Sequence, residues 1–212
     1  RNELVEFLFI GLLLGLSSGI SPGPLLTLVI AETLRYGLGA GIRVAITPFI
    51  TDLPIILLTL IILSRLANYE WLLGVISLVG GIVLLIMGFD CLMARGVVTA
   101  GEAARSNSLI KGILANLLNP HPYLFWFSVG APLMTQALGQ NAAALIGFIV
   151  GFYLFLVGSK VILAVMVARS AAFLSGRIYL YVMRFLGAML GLLAVFLFYD
   201  GLNLLRMNGG GI

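Results

Sequence analysis

Six apolar runs dominate the chain, at about residues 7–32, 40–64, 71–89, 109–134, 142–168 and 185–205, and most of the charges fall outside them. About 20 apolar residues is what a helix needs to cross the hydrocarbon core of a bilayer. Only 9% of the 212 residues are charged, 61% are hydrophobic, and mean hydropathy is +1.17. Soluble domains carry about 25% charged residues, so a cytosolic enzyme, a secreted domain and a nucleic-acid-binding module are excluded. No strand-like alternation of apolar and polar residues supports an outer-membrane barrel. The sequence predicts an all-α integral membrane protein of six transmembrane helices, a single domain over residues 1–212. Residues 7–16 resemble a signal-peptide core, but no small-residue cleavage site follows and the apolar run continues, which makes this the first membrane helix.

The net charge of +4 resides largely in loops, where it reports orientation rather than affinity for nucleic acid. The odd-numbered loops and their flanks carry eight basic residues: Arg35, Arg43, Arg95, Arg105, Lys111, Arg169, Arg177 and Arg184. The other side has three, Arg1, Arg65 and Arg206. Eight against three places the odd loops in the cytoplasm and both termini outside. The longest loop, about 94–108, is small and polar and is then cytoplasmic. Cys91 is the only cysteine, so an internal disulfide, a CxxC pair and a thiolate metal cluster are ruled out.

Two of the six runs carry a break. The first contains Ser21-Pro22-Gly23-Pro24 and the fourth contains Asn119-Pro120-His121-Pro122, 98 residues further on. Two prolines separated by one residue remove two backbone donors and disfavour helix before each. In a medium without water, such a break survives only where it is buried in protein or lines a wet cavity. The spacing divides the chain into half-repeats of three spans, about 4–93 and 109–206. Because three is odd, the second half enters the membrane from the opposite side. The expectation is an inverted 3+3 repeat with helices 1 and 4 broken at Pro-X-Pro, the plan of many secondary transporters.

These residues resemble a family. Gly19-Ile20-Ser21-Pro22-Gly23-Pro24 is similar to the first-helix motif of the lysine exporter family, which includes the homoserine and threonine exporters. Gly112-Ile113-Leu114-Ala115-Asn116-Leu117-Leu118-Asn119-Pro120 is similar to its fourth-helix motif, and Asp52 stands in the second span where members carry an acid. The resemblance covers roughly residues 7–205. It implies secondary-active export of amino acids or related small polar metabolites across the cytoplasmic membrane, driven by a proton or cation gradient, often as a homodimer and with no cofactor. Two positions depart from the family pattern: Leu25 stands where Asn is usual, and His121 where Lys is usual. Both fall where substrate or coupling would be decided.

Charged and titratable residues inside the runs complete the candidate site. Asp52 lies near the centre of the second span, where an ionised carboxylate costs about 2.5–3.5 kcal/mol on insertion scales. Lys160 is the only charge deep in the fifth span. At 1.5 Å per residue their depths differ by about 4–5 Å, which brings a direct or water-bridged pair within reach. Asp52 is read as proton acceptor or cation counter-charge. Lys160 either holds Asp52 ionised or takes a substrate carboxylate, and snorkelling to the interface is its bland alternative. His121, the only histidine, is placed in the cavity. With Ser21, Pro22, Gly23, Pro24, Asn119 and Pro120, these form the candidate binding or coupling set. Pro48 and Pro54 bracket Asp52 and can distort its helix. Gly147 and Gly151 form a GxxxG that suits either an internal or a dimer contact. The aromatic residues Tyr123, Phe125, Trp126 and Phe127 are read as lipid-facing packing in preference to a cavity wall.

Two other functions compete. A transmembrane thiol electron carrier needs a cysteine in each half, and Cys91 has no partner. A proton, monovalent-cation or metal transporter is the main alternative, although Asp52 alone poorly meets the clustered ligands of a metal site. No nucleophile–base–acid set and no phosphate-cradling GxxxxGK[ST] is present, so neither a hydrolase nor an ATP-driven pump is supported.

Overall fold

The computed structural model describes residues 2–65, 69–94, 107–171 and 176–209, and nearly all of them are helical. The polar loop expected between the two halves lies largely outside the described residues. Helix α1 (Asn2–Ile20) stops at the first proline tetrad and α2 (Pro24–Tyr36) resumes with Pro24 in its first turn, where the missing N–H is not needed. Gly37 follows at φ +86°, a conformation that only glycine adopts without strain, and turns the chain into α3 (Leu38–Ala45). A turn at Ile46–Thr47 separates α3 from α4 (Pro48–Arg65), so the helix carrying Asp52 restarts at Pro48 and runs through Pro54. Helix α5 (Tyr69–Leu92) is uninterrupted.

The fourth apolar run is divided among α6 (Ser108–Leu117), α7 (Pro120–Phe125), a π-helical turn (Trp126–Gly130) and α8 (Ala131–Gln140). Helices α9 (Ala142–Ala171) and α10 (Gly176–Gly209) are long and continuous, and α10 starts well before the predicted sixth span. Among the described residues, five helical stretches are long and apolar enough to cross a membrane: Glu3–Ile20, Leu38–Thr59, Trp71–Leu92, Ala142–Ser170 and Gly176–Arg206.

The most extensive pairings are α1 with α9 and α5 with α10, and the interrupted helices pack between them. Small residues make the first pairing. Gly11, Gly15 and Gly19 recur at four-residue spacing and face the α9 backbone at Phe148, Phe152 and Phe155, while Gly147 and Gly151 of α9 face Leu4 and Leu8 of α1. The Gly147–Gly151 motif is therefore an internal contact. Such stripes let backbones approach closely where no hydrophobic force drives association. In the second pairing, Gly88 and Gly187 face each other, as do Gly74 and Gly201.

Burial is arranged for lipid. Large apolar side chains such as Leu13, Ile86, Phe185 and Tyr199 point outward, whereas Glu32, Thr51, Asp52, Asn116, Asn119 and Lys160 are buried. A Cβ at Gly15 would collide with the Phe152 carbonyl, which is backbone and cannot swing aside. Gly15→Leu should thus force α1 off α9 and destabilise the protein by about 1–3 kcal/mol, read as a lowered thermal midpoint in detergent. A midpoint unchanged from wild type would show that the two helices are not in backbone contact.

Candidate functional site

The site is built at the two helix breaks. At the first, α1 ends with carbonyls that no later turn of helix takes up, and the Lys160 ammonium of α9 meets them. Its Nζ donates to Gly19 O at 3.2 Å, Ser18 O at 3.4 Å and Leu156 O at 3.4 Å. A cation at a helix C-terminus is favoured both by the free carbonyls and by the helix dipole. The approach depends on the glycine stripe, because Gly19 lies against Ser159, next to Lys160.

At the second break, Tyr123 Oη donates to the Leu117 carbonyl at 2.8 Å, and the Asn119 side chain accepts from the His121 N–H at 3.1 Å. Asn119 is thus the N-cap of α7, and Pro120 occupies the first turn. These two backbone groups are answered from within six residues.

Asp52 lies one turn beyond Pro48 and is 4% exposed. Asn116 Nδ2 donates to its Oδ1 at 3.3 Å and also to Thr51 Oγ1 at 2.7 Å. Tyr153 Oη donates to Oδ2 at 3.1 Å, and Trp126 lines the same cavity. Tyr153 is steadied by stacking on Phe49 at 5.1 Å between ring centroids. The carboxylate is therefore held by neutral donors only.

A cavity of about 320 Å³ joins these parts. Ser21, Pro22, Gly23, Pro24, Asp52, Asn119, His121 and Lys160 all line it, whereas Pro120 does not. Of the direct or water-bridged Asp52–Lys160 pair, the direct form is not made: Lys160 is turned to the α1 carbonyls and Asp52 to Asn116 and Tyr153. The aromatic expectation also needs correction. Phe125 and Trp126 line the cavity, and Trp126, 2% exposed, packs against Phe152 rather than lipid. Asn116 was legible in the fourth-span motif, three residues before Asn119, but Trp126, Phe152 and Tyr153 carried no signal that separates them from packing residues.

A second polar cluster lies at one end of the bundle. Glu32 of α2 is 3% exposed and accepts from Ser108 Oγ at 2.6 Å and Lys111 Nζ at 2.8 Å. Lys111 also pairs with Asp90 at 3.2 Å, which pairs with Arg35 at 2.7 Å. The cluster ties α2, α5 and α6 together.

An apolar-surfaced helical bundle with a polar cavity at two helix interruptions defines a multi-pass membrane protein. The LysE type translocator family model matches residues 16–201, and the chain belongs to that family. Its members are transporters rather than enzymes, so the class of activity is translocation of small molecules across a membrane. Comparison with curated proteins and with solved structures gave no match.

Lys111→Ala should cost about 3 kcal/mol, because it strands a buried Glu32 carboxylate. Glu32→Gln in the same chain should recover much of that loss in thermal denaturation. A single variant as stable as wild type would show that the cluster contributes nothing to holding α2 on α6.

Proposed function

We propose that the protein is a secondary transporter that exports amino acids or closely related small zwitterions across the cytoplasmic membrane, coupled to a proton or cation gradient. The observation that carries this reading is the pair of buried opposite charges that share a cavity without pairing with each other. A charge taken out of water is costly unless paired. A ligand bearing one ammonium and one carboxylate supplies the opposite charge that each lacks: its ammonium to Asp52, its carboxylate to Lys160, which trades one of its carbonyl contacts for it. The cavity volume, near the lower end of the ~300–1,000 Å³ typical of ligand sites, suits a metabolite of this size.

Alternating access follows from the way the halves interlock. Helix α1 of the first half packs on α9 of the second, α6 of the second packs on α3 and α4 of the first, and the third long helices, α5 and α10, pair with each other. This reciprocal pattern supports an inverted 3+3 repeat, in which rocking one half against the other exposes a fixed central site to either side. Asp52 serves as proton or cation acceptor in the cycle, and Lys160 as carboxylate anchor. Asn119 and His121 shape the cavity floor at the second break. The basic-residue asymmetry supports cytoplasmic odd loops and external termini, export is the direction the family implies, and homodimeric assembly accords with the family resemblance.

A carrier of cations alone is the alternative. The Lys160 ammonium in the same cavity opposes it electrostatically, and no cluster of three or more potential metal ligands occurs among the described residues.

Counterflow of labelled amino acids in proteoliposomes tests the reading. Wild type should exchange one group of amino acids and respond to an imposed pH or cation gradient. Asp52→Asn should lose the gradient response. Lys160→Gln should weaken exchange by about tenfold or more, the value of a charge-assisted hydrogen bond. Gradient-driven ion flux with no amino-acid exchange would contradict the proposal and favour the cation carrier.

A further inference from the structure

The cavity holds a single carboxylate. Among the described residues that line it, Asp52 is the only acid, and once it takes an α-ammonium nothing anionic remains. The wall nearest it is aromatic. Phe125 stacks on Phe152 at 5.2 Å between ring centroids, Trp126 meets Phe152 edge-on at 5.4 Å, and Phe125 meets Trp126 at 5.4 Å. Leu25, Leu26 and Leu156 add aliphatic surface to the same lining.

The geometry points to a transporter of neutral amino acids with apolar side chains, with the Phe125–Trp126–Phe152 wall as the side-chain site and basic amino acids excluded. This inference rests on the zwitterion reading above and specifies its substrate. The π-helical turn that begins at Trp126 bears on it directly. Such turns carry one more residue than an α-helical turn and commonly re-aim side chains at functional sites. Here the turn begins at Trp126, which lines the cavity, directly after α7, and Gly130 at its end leaves the space that the Trp126 ring occupies.

Two effects select the ligand. An apolar side chain against the wall removes nonpolar surface from water on both partners. A second ammonium or a guanidinium in the same place is desolvated against rings with no carboxylate to meet it. Cation–π attraction returns only a fraction of that loss. The discrimination is therefore made by an absent partner as much as by a present contact.

The test is competition against counterflow of a labelled neutral amino acid in proteoliposomes of the full chain. Unlabelled leucine, methionine and phenylalanine should compete well. Lysine and arginine should compete about a hundredfold less well. Equal competition by lysine and leucine would overturn the inference while leaving the zwitterion reading intact. Failure of every amino acid, neutral and basic alike, would overturn both. The wild-type panel decides this without any variant. Phe125→Glu, checked for an unchanged thermal midpoint, then locates the side-chain site: it should turn lysine into an effective competitor. A folded variant that still rejects lysine would show that the side chain does not bind at this wall.

Discussion

A helix interrupted inside a bilayer leaves amides and carbonyls with no water to take them, and this requirement organises the centre of the protein. The first break is answered at long range, by an ammonium reaching from α9 to Ser18 and Gly19. The second is answered locally, by Tyr123 and Asn119. The difference has a functional consequence. Local satisfaction makes the second break self-contained, whereas satisfying the first places a positive charge in the cavity wall.

That charge depends on packing far from it. Lys160 reaches the end of α1 because α1 and α9 lie backbone to backbone along their glycines. Apolar burial gives no drive for this in lipid, so close van der Waals contact and the hydrogen bonds at the break must hold the pair. Asp52 is positioned by a different device. Its helix restarts at Pro48, and Asn116 and Tyr153, from two other segments of the chain, converge on one carboxylate. The site is thus assembled from both halves of the chain, and neither half contains it alone.

Much of this was legible in the sequence, because prolines and bilayer charges are costly wherever they occur. The two tetrads marked the places where helices end, and Asp52 and Lys160 marked polar positions within apolar runs. Residue spacing counts position along a helix but not rotation about it, and it is rotation that turns Lys160 toward α1 rather than Asp52. Among the aromatic residues after Pro122, Tyr123 and Phe125 lie in α7, and only from Trp126 onward does the π-helical turn shift the angular register that an α-helical count assumes. Glu32 and Lys111 fell at the edges of apolar runs, where a charge ordinarily marks the end of a span. Only the packing of α2 against α6 reveals that Glu32 is buried.

In the proposed function one ligand satisfies both buried charges. This is tested most directly by measuring binding of the best-exchanged amino acid alongside the amine that lacks its carboxylate and the acid that lacks its ammonium. Each single-charge analogue should bind at least about tenfold more weakly than the zwitterion, the value of one charge-assisted contact. An amine or an acid that binds as tightly as the amino acid would contradict it, because one of the two charges would then have no part in holding the ligand.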